Sequence, residues 1–229
     1  PDTDWFVPEL YDFVPEMGGS RIQANYSRYV VDPNRDPSGT SLYPGQETTA
    51  LVPTLCFDGR PIYRDDATPD EAEIHARRKA YFEPYHAALA QLIEDTIARH
   101  GYALLWDAHS IAPVVPRLFP GTLPDLNLGS NGGQSCAPEI ESEVVAAMAD
   151  QVDYTHVVNG RFRGGWITRH YGRPDRNAHA LQMELSQATH LSGTPPRLAE
   201  GDRTSRLKVT LERLMHAALN AAQRLYGDG

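Results

Sequence analysis

The sequence predicts an α/β fold, a three-layer α/β/α sandwich around a mixed, mostly parallel sheet, and three observations predict it. Residues 102–107 form an uninterrupted apolar run of strand length closed by an aspartate, the pattern of a strand buried on both faces. Residues 178–186 alternate with a period of two. Long amphipathic stretches separate such strands, and that alternation places helices against a sheet. The chain has 229 residues and is 41% hydrophobic. Area scaling removes roughly 70% of the extended surface of such a chain from water, enough for one large core. No repeat or compositional break divides it, so residues 1–229 read as a single domain.

In chain order, Trp5, Phe6, Leu10 and Phe13 behind Asp2 and Asp4 predict a short capped helix ending at Gly18-Gly19. Residues 21–31 predict a strand that breaks at Asp32-Pro33-Asn34-Arg35. Turn residues dominate 38–69, giving long loops with a short strand near 54–57. A long helix starts near Pro69-Asp70-Glu71 and is interrupted at Pro84, which lacks a backbone N–H. It resumes with Tyr85, Leu89, Leu92, Ile93 and Ile97 on one face and stops at Gly101. The strand 102–107 follows, then a loop rich in Pro, Gly and Asn over 112–138. Glu139, Glu141 and Glu143 open a helix whose dipole they suit. Strands are predicted at 154–158, 165–169 and 178–186. A closing helix over 202–226 carries Leu207, Leu211, Leu214, Ala218, Ala222 and Leu225 on one stripe.

Lys plus Arg number 21 and Asp plus Glu 30, a net charge of −9. Bulk charge of that sign repels a phosphate backbone and an anionic leaflet, so neither nucleic acid nor a membrane is an expected partner. No apolar run approaches the ~20 residues of a membrane helix. Cys56 and Cys136 are the only cysteines, too few for a disulfide scaffold and in keeping with a reducing compartment. No basic-then-apolar signal segment opens the chain, and a cytoplasmic protein acting on a small molecule is expected. The sequence carries no sign of oligomeric state.

Three groups of residues could carry chemistry. Asp107-Ala108-His109-Ser110 ends a predicted buried strand, where ligands gather in open α/β sheets. The imidazole could bind a metal with Asp107 orienting it, or simply hydrogen-bond a loop; the short pattern leaves both open. Arg28 and Arg35, with Asn34 beside the latter, could converge on an anion, because a planar guanidinium grips a carboxylate with two bonds. Two surface arginines would look the same. Arg169-His170-Tyr171-Gly172, at a predicted strand end, offers a third clamp. Glu184 shares the polar face of its strand with Gln182 and Ser186, and its apolar neighbours Met183 and Leu185 could desolvate it toward a useful pKa. A solvated edge strand is the competing reading. Ser110 lacks a nucleophile-elbow context, neither cysteine lies in a motif, and His86 reads as a packed histidine.

Taken together, the motifs resemble the N-formylglutamate amidohydrolase family. They are Asp4-Trp5, Leu10-Tyr11, the run from Asn25 to Asp32, Asn34-Arg35, Leu42-Tyr43-Pro44, Tyr63-Arg64 and Pro84-Tyr85-His86. Leu105 to Ser110, Leu123 to Gly129, Asn159 to Phe162, Thr168 to Gly172 and Gln182 to Leu185 continue the likeness over almost the whole chain. The family is similar in turn to the zinc carboxypeptidase and aspartoacylase superfamily, which implies a phosphorylase/hydrolase-like sheet flanked by helices. It implies hydrolysis of N-formyl-L-glutamate to formate and L-glutamate, a step of histidine breakdown, with zinc or another divalent metal. His109 and Asp4 would be metal ligands, Glu184 the base, and Arg28 the polariser of the scissile carbonyl. Asn34, Arg35 and Arg169 would hold the carboxylates of a dicarboxylate substrate. The family's Pro-His-Ser-Gly type motif does not occur here, so a further N-terminal strand bearing a first histidine ligand is expected upstream of Pro1. Within the enzyme class, another zinc N-acyl-amino-acid deacylase or a carboxypeptidase-like hydrolase fits the same residues. Outside it, a metal-free binding relative would keep the arginines without turnover.

Overall fold

The computed structural model describes residues 1–42 and 45–227. Tyr43 and Pro44, part of one matching stretch named above, lie outside the described residues. The elements run in the order α1 (Val7–Leu10), α2 (Glu71–Arg77), α3 (Glu83–His100), β1 (Ala103–Ile111), β2 (Leu126–Gly129) and α4 (Pro138–Asp150). Then come β3 (His156–Val158), α5 (Trp166–Tyr171), β4 (Ala178–Ser186), the small strands β5 (Leu191–Ser192) and β6 (Arg197–Leu198), and α6 (Asp202–Tyr226). The main sheet has the order β1-β4-β2-β3. β1 and β4 pair in parallel, as do β2 and β3, while β2 and β4 are antiparallel. The sheet is therefore mixed, with helices flanking it, as the sequence predicts.

Leu181, Met183 and Leu185 of β4 are fully buried in the main core with Ile140, Val144 and Met148 of α4 and Leu207, Leu211 and Leu214 of α6. Truncating any of these to alanine would cost about 2–5 kcal/mol. Leu225, expected on the same stripe, is 41% exposed, and Tyr226 packs against the core in the last turn instead. On the other sheet face α5 packs on β4 and β1, and α3 on β1. That face carries the polar residues, so its coverage decides the site.

Local chemistry explains three features along α2 and α3. The Asp70 side chain accepts from the Glu73 N–H and caps α2. The interruption expected at Pro84 is a π turn over Arg78–Phe82, which widens the backbone just before the residue that cannot donate. Gly101 closes α3 with φ 80°, a conformation free of penalty only for glycine.

Five expectations are corrected. Residues 21–31 form no strand: the Ser27 hydroxyl accepts from the Tyr29 N–H and the Val30 N–H bonds to the Ser27 carbonyl, closing a turn. Near 54–57 there is a single bridge between Leu55 and Pro61. In place of the strand expected over 165–169, Trp166–Tyr171 is helical, with Gly165 as its extended N-cap. The Gly165 and Ile167 N–H groups find side-chain acceptors on Gln182 and Asn34, which satisfies the opening turn of α5. Finally, β1 continues to Ile111, so Asp107 and His109 lie inside the strand, and β2 rises from the loop expected over 112–138.

Candidate active site

β1 and β4 supply one polar face between them. Their parallel register pairs Asp107 with Gln182 and His109 with Glu184, and in-register side chains project to the same side. The Met183 face points into the core instead. A cavity of about 290 Å³ opens above this polar face, lined among others by Arg28, Asn34, Arg35, His109, Gln182 and Glu184.

His109 lies between two carboxylates. Its Nε2 is 2.8 Å from Asp107 Oδ1 and its Nδ1 is 3.6 Å from Asp4 Oδ2. Burial opposes the imidazolium, but the paired carboxylates outweigh it and hold its pKa well above the ordinary value. Asp107 accepts twice more through Oδ2, from Asn34 Nδ2 at 3.0 Å and from the Thr168 hydroxyl at 3.2 Å. The Asp107 contact fixes the ring so that Nδ1 faces Asp4.

Asp4 reaches the site because the first residues are pinned down. The Ser110 N–H donates to Asp4 Oδ1 at 2.6 Å and Arg28 NH2 to Oδ2 at 3.2 Å. On either side, the Phe57 N–H and the Tyr29 hydroxyl donate to Asp2, and His190 Nε2 lies 3.1 Å from the Trp5 carbonyl. Burial raises the Asp4 pKa, yet His109, Arg28 and the Ser110 amide together depress it below the usual carboxylate range.

Arg28 also faces Asp32 at 3.7 Å and stacks over the Phe57 ring at 5.0 Å. Burial would strip its proton, but Asp32, Asp4 and Glu184 hold it firmly cationic. Arg35 points Nε and NH2 at the Thr49 hydroxyl and NH1 at the Asn34 carbonyl, with Asp32 at 3.6 Å. The fork has more N–H donors than these contacts use. Glu184 is 7% exposed, and burial raises its pKa from 4.5 to about 7, with His109 and Arg28 pulling the other way. Its Oε2 accepts from Gln182 Nε2 at 3.1 Å.

The structure thus brings Arg28, Asn34, Arg35, His109 and Glu184 to one cavity, with Asp4 against His109 at its edge. Arg169 stands apart. It is on α5 rather than at a strand end, its Nε donates to the Gly164 carbonyl, and it does not line the cavity. Arg161 does, with Nε on the Leu118 carbonyl and NH2 on the Glu47 carbonyl. Sequence reasoning passed over Arg161, Gln182, Thr168 and Gly165. Gln182 carried a signal, since it shares the polar face of β4 with Glu184. Gly165 carried none, for its role depends on a distant side chain.

Asp4 and His109 have the chemistry and separation of two ligands of one ion, but a catalytic zinc site takes three protein donors. Among the described residues no three His, Cys, Asp or Glu converge in that way. The described donor set is therefore incomplete for zinc.

Residues 1–191 match the N-formylglutamate amidohydrolase family. The N-formylglutamate deformylase of Pseudomonas aeruginosa is 44% identical over 225 residues, which cover 98% of this chain and 84% of that protein. The N-formylglutamate deformylase of Pseudomonas putida is 44% identical over 223 residues, covering 96% of this chain and 82% of its own. Among solved structures, the N-formylglutamate amidohydrolase of Ralstonia eutropha superposes with a TM-score of 0.76 at 26% identity, over 96% of this chain and 82% of that one.

Proposed function

The chain belongs to the N-formylglutamate amidohydrolase family, and we propose from that premise that it hydrolyses N-formyl-L-glutamate to formate and L-glutamate, the step the resemblance places in histidine breakdown. The observation that carries the reading to these residues is Glu184, a buried carboxylate whose pKa is pushed up to about 7 on the wall of a cavity it shares with Arg28 and His109. A base works best when its pKa lies near the working pH. Glu184 takes a proton from the attacking water and delivers it to the departing amine. Arg28, kept cationic by its acidic neighbours, meets the negative charge that develops on the formyl oxygen.

Asn34 and Arg35 are the proposed carboxylate grip, with Arg161 as a further cation of the same cavity. Arg169 is assigned to holding the turn at Gly164 rather than the substrate. Local arginines explain how a chain of net charge −9 takes a dianion.

Metal dependence belongs to the same proposal. Asp4 and His109 Nδ1 would contribute two ligands of a divalent metal, zinc being the expected one. Such an ion supplies Lewis acidity toward an acyl oxygen. Asp107 would then keep the Nε2 proton while Nδ1 gives its own up.

The test is a panel of N-formyl-L-glutamate, N-acetyl-L-glutamate and N-formyl-L-leucine offered to the full chain. Formate release at the highest kcat/KM from the first supports the proposal. A preference for the acetyl compound would make the protein another N-acyl-amino-acid deacylase, and no hydrolysis of any would leave a binding protein.

A further inference from the structure

We infer that Gln182 is a positioning residue for Glu184, itself oriented by the backbone of the turn at residues 164–167. This rests on the reading of Glu184 as the base and adds a residue to it. Gln182 is 4% exposed and uses both ends of its carboxamide. Oε1 accepts the Gly165 N–H at 2.7 Å, and Nε2 donates to Glu184 Oε2 at 3.1 Å. The two ends of an amide have the same shape and differ only as donor and acceptor, so a backbone N–H on one end decides which way the group faces. Gly165 therefore directs the NH₂ of Gln182 to the carboxylate. Two residues on, the Ile167 N–H does the same for Asn34, whose Oδ1 it meets at 2.8 Å while Nδ2 turns to Asp107. One turn thus orients two amides, one for Glu184 and one for the Asp107–His109 pair.

The consequence for Glu184 is a division of labour between its oxygens. Oε2 is tied to Gln182, the rotation of the carboxylate is arrested, and Oε1 remains to receive the proton. Without that tether the carboxylate samples other angles, and a misplacement of about 1 Å at a reacting group can lower a rate on the order of 100-fold. Binding of the substrate's carboxylates by arginines does not pass through Gln182, so KM is spared.

The experiment is a double-mutant cycle with N-formyl-L-glutamate, using Gln182→Met and Glu184→Gln singly and together in the full chain. The expected result for Gln182→Met is a kcat lower by roughly 10–100-fold with KM within about twofold of wild type. On the Glu184→Gln background the same change should alter kcat by less than about twofold, because a residue acting through Glu184 has nothing left to position. Gln182→Leu serves where the methionine variant does not fold, since it removes the donor without placing a charge beside Glu184. Equal fractional losses on both backgrounds would make Gln182 a structural residue and overturn the inference. So would wild-type kcat in both Gln182 variants while Glu184→Gln is impaired, which leaves the base reading standing. Wild-type turnover in Glu184→Gln would overturn the base reading and this inference together.

Discussion

His109 and Glu184 are in-register neighbours across the parallel β1–β4 pair, so one strand presents the imidazole and the next the carboxylate to the same cavity. Both groups hold their protons more tightly than usual, for different reasons: the flanking Asp107 and Asp4 carboxylates raise the His109 pKa against the effect of burial, whereas burial itself raises that of Glu184 to about 7.

The first expectation concerns pH. Glu184 must be ionised to accept a proton, so kcat/KM should rise through an acid limb near pH 7. Stability should run the other way. Between pH 4.5 and about 7 the unfolded chain has released the proton that folded Glu184 still holds, so this group's contribution is full below 4.5 and lost as pH rises through 7. Glu184→Gln should accordingly be more stable than wild type above pH 7, with the gap closing below pH 4.5. Denaturant titrations of both proteins across that window check it.

His109→Ala should abolish turnover and sharply lower the zinc bound per chain, because the imidazole is one of only two proposed ligands. Metal analysis of the purified variant, with the assay run beside it, decides the point. Stoichiometric zinc and full activity would remove His109 from the metal site.

Arg35→Lys keeps the charge and loses the fork that reaches Thr49 and the proposed carboxylate. A fall in kcat/KM of roughly 10–100-fold is expected, from about 1.4–3 kcal/mol for a charged hydrogen bond. The loss should be larger for N-formyl-L-glutamate than for N-formyl-L-leucine. Arg169→Lys, outside the cavity, should leave that preference unchanged.

Gly165→Ala should damage the site from the backbone. Its φ of −78° is ordinary, so conformation is no obstacle. The added Cβ would lie 2.3 Å from Asn34 Oδ1, a contact that forces Asn34 off Asp107. Overpacking of this kind costs about 1–3 kcal/mol. Thermal unfolding should show that loss together with reduced turnover.

Legibility in the sequence followed the range of the forces involved. β4 and α6 were readable to the residue because a period of two and a stripe of leucines record which face is buried. The same period set Glu184 apart from Met183. β2 was not readable: Leu126–Gly129 is a strand only because both neighbours are strands, and four residues carry no periodicity of their own. Residues 165–169 looked extended because the acceptors that let them turn belong to Asn34 and Gln182, remote in sequence. The placement of Arg169 failed for the same reason, since a helix aims that side chain away from where a strand would. Arg28, Asn34 and Arg35 were legible as residues of interest, but their attachment to Asp4, Asp107 and Thr49 could be seen only once the chain was folded.

The central claim is that Glu184 performs the proton transfers of formyl-amide hydrolysis. The measurement that tests it most directly is steady-state formate release from N-formyl-L-glutamate by wild type and by Glu184→Gln, with bound zinc and substrate Kd measured on both. The expected result is a kcat lower by about 10²–10⁴ in the variant, with zinc and Kd unchanged. A variant that turns over at the wild-type rate, or one that loses its metal along with its activity, would contradict the account.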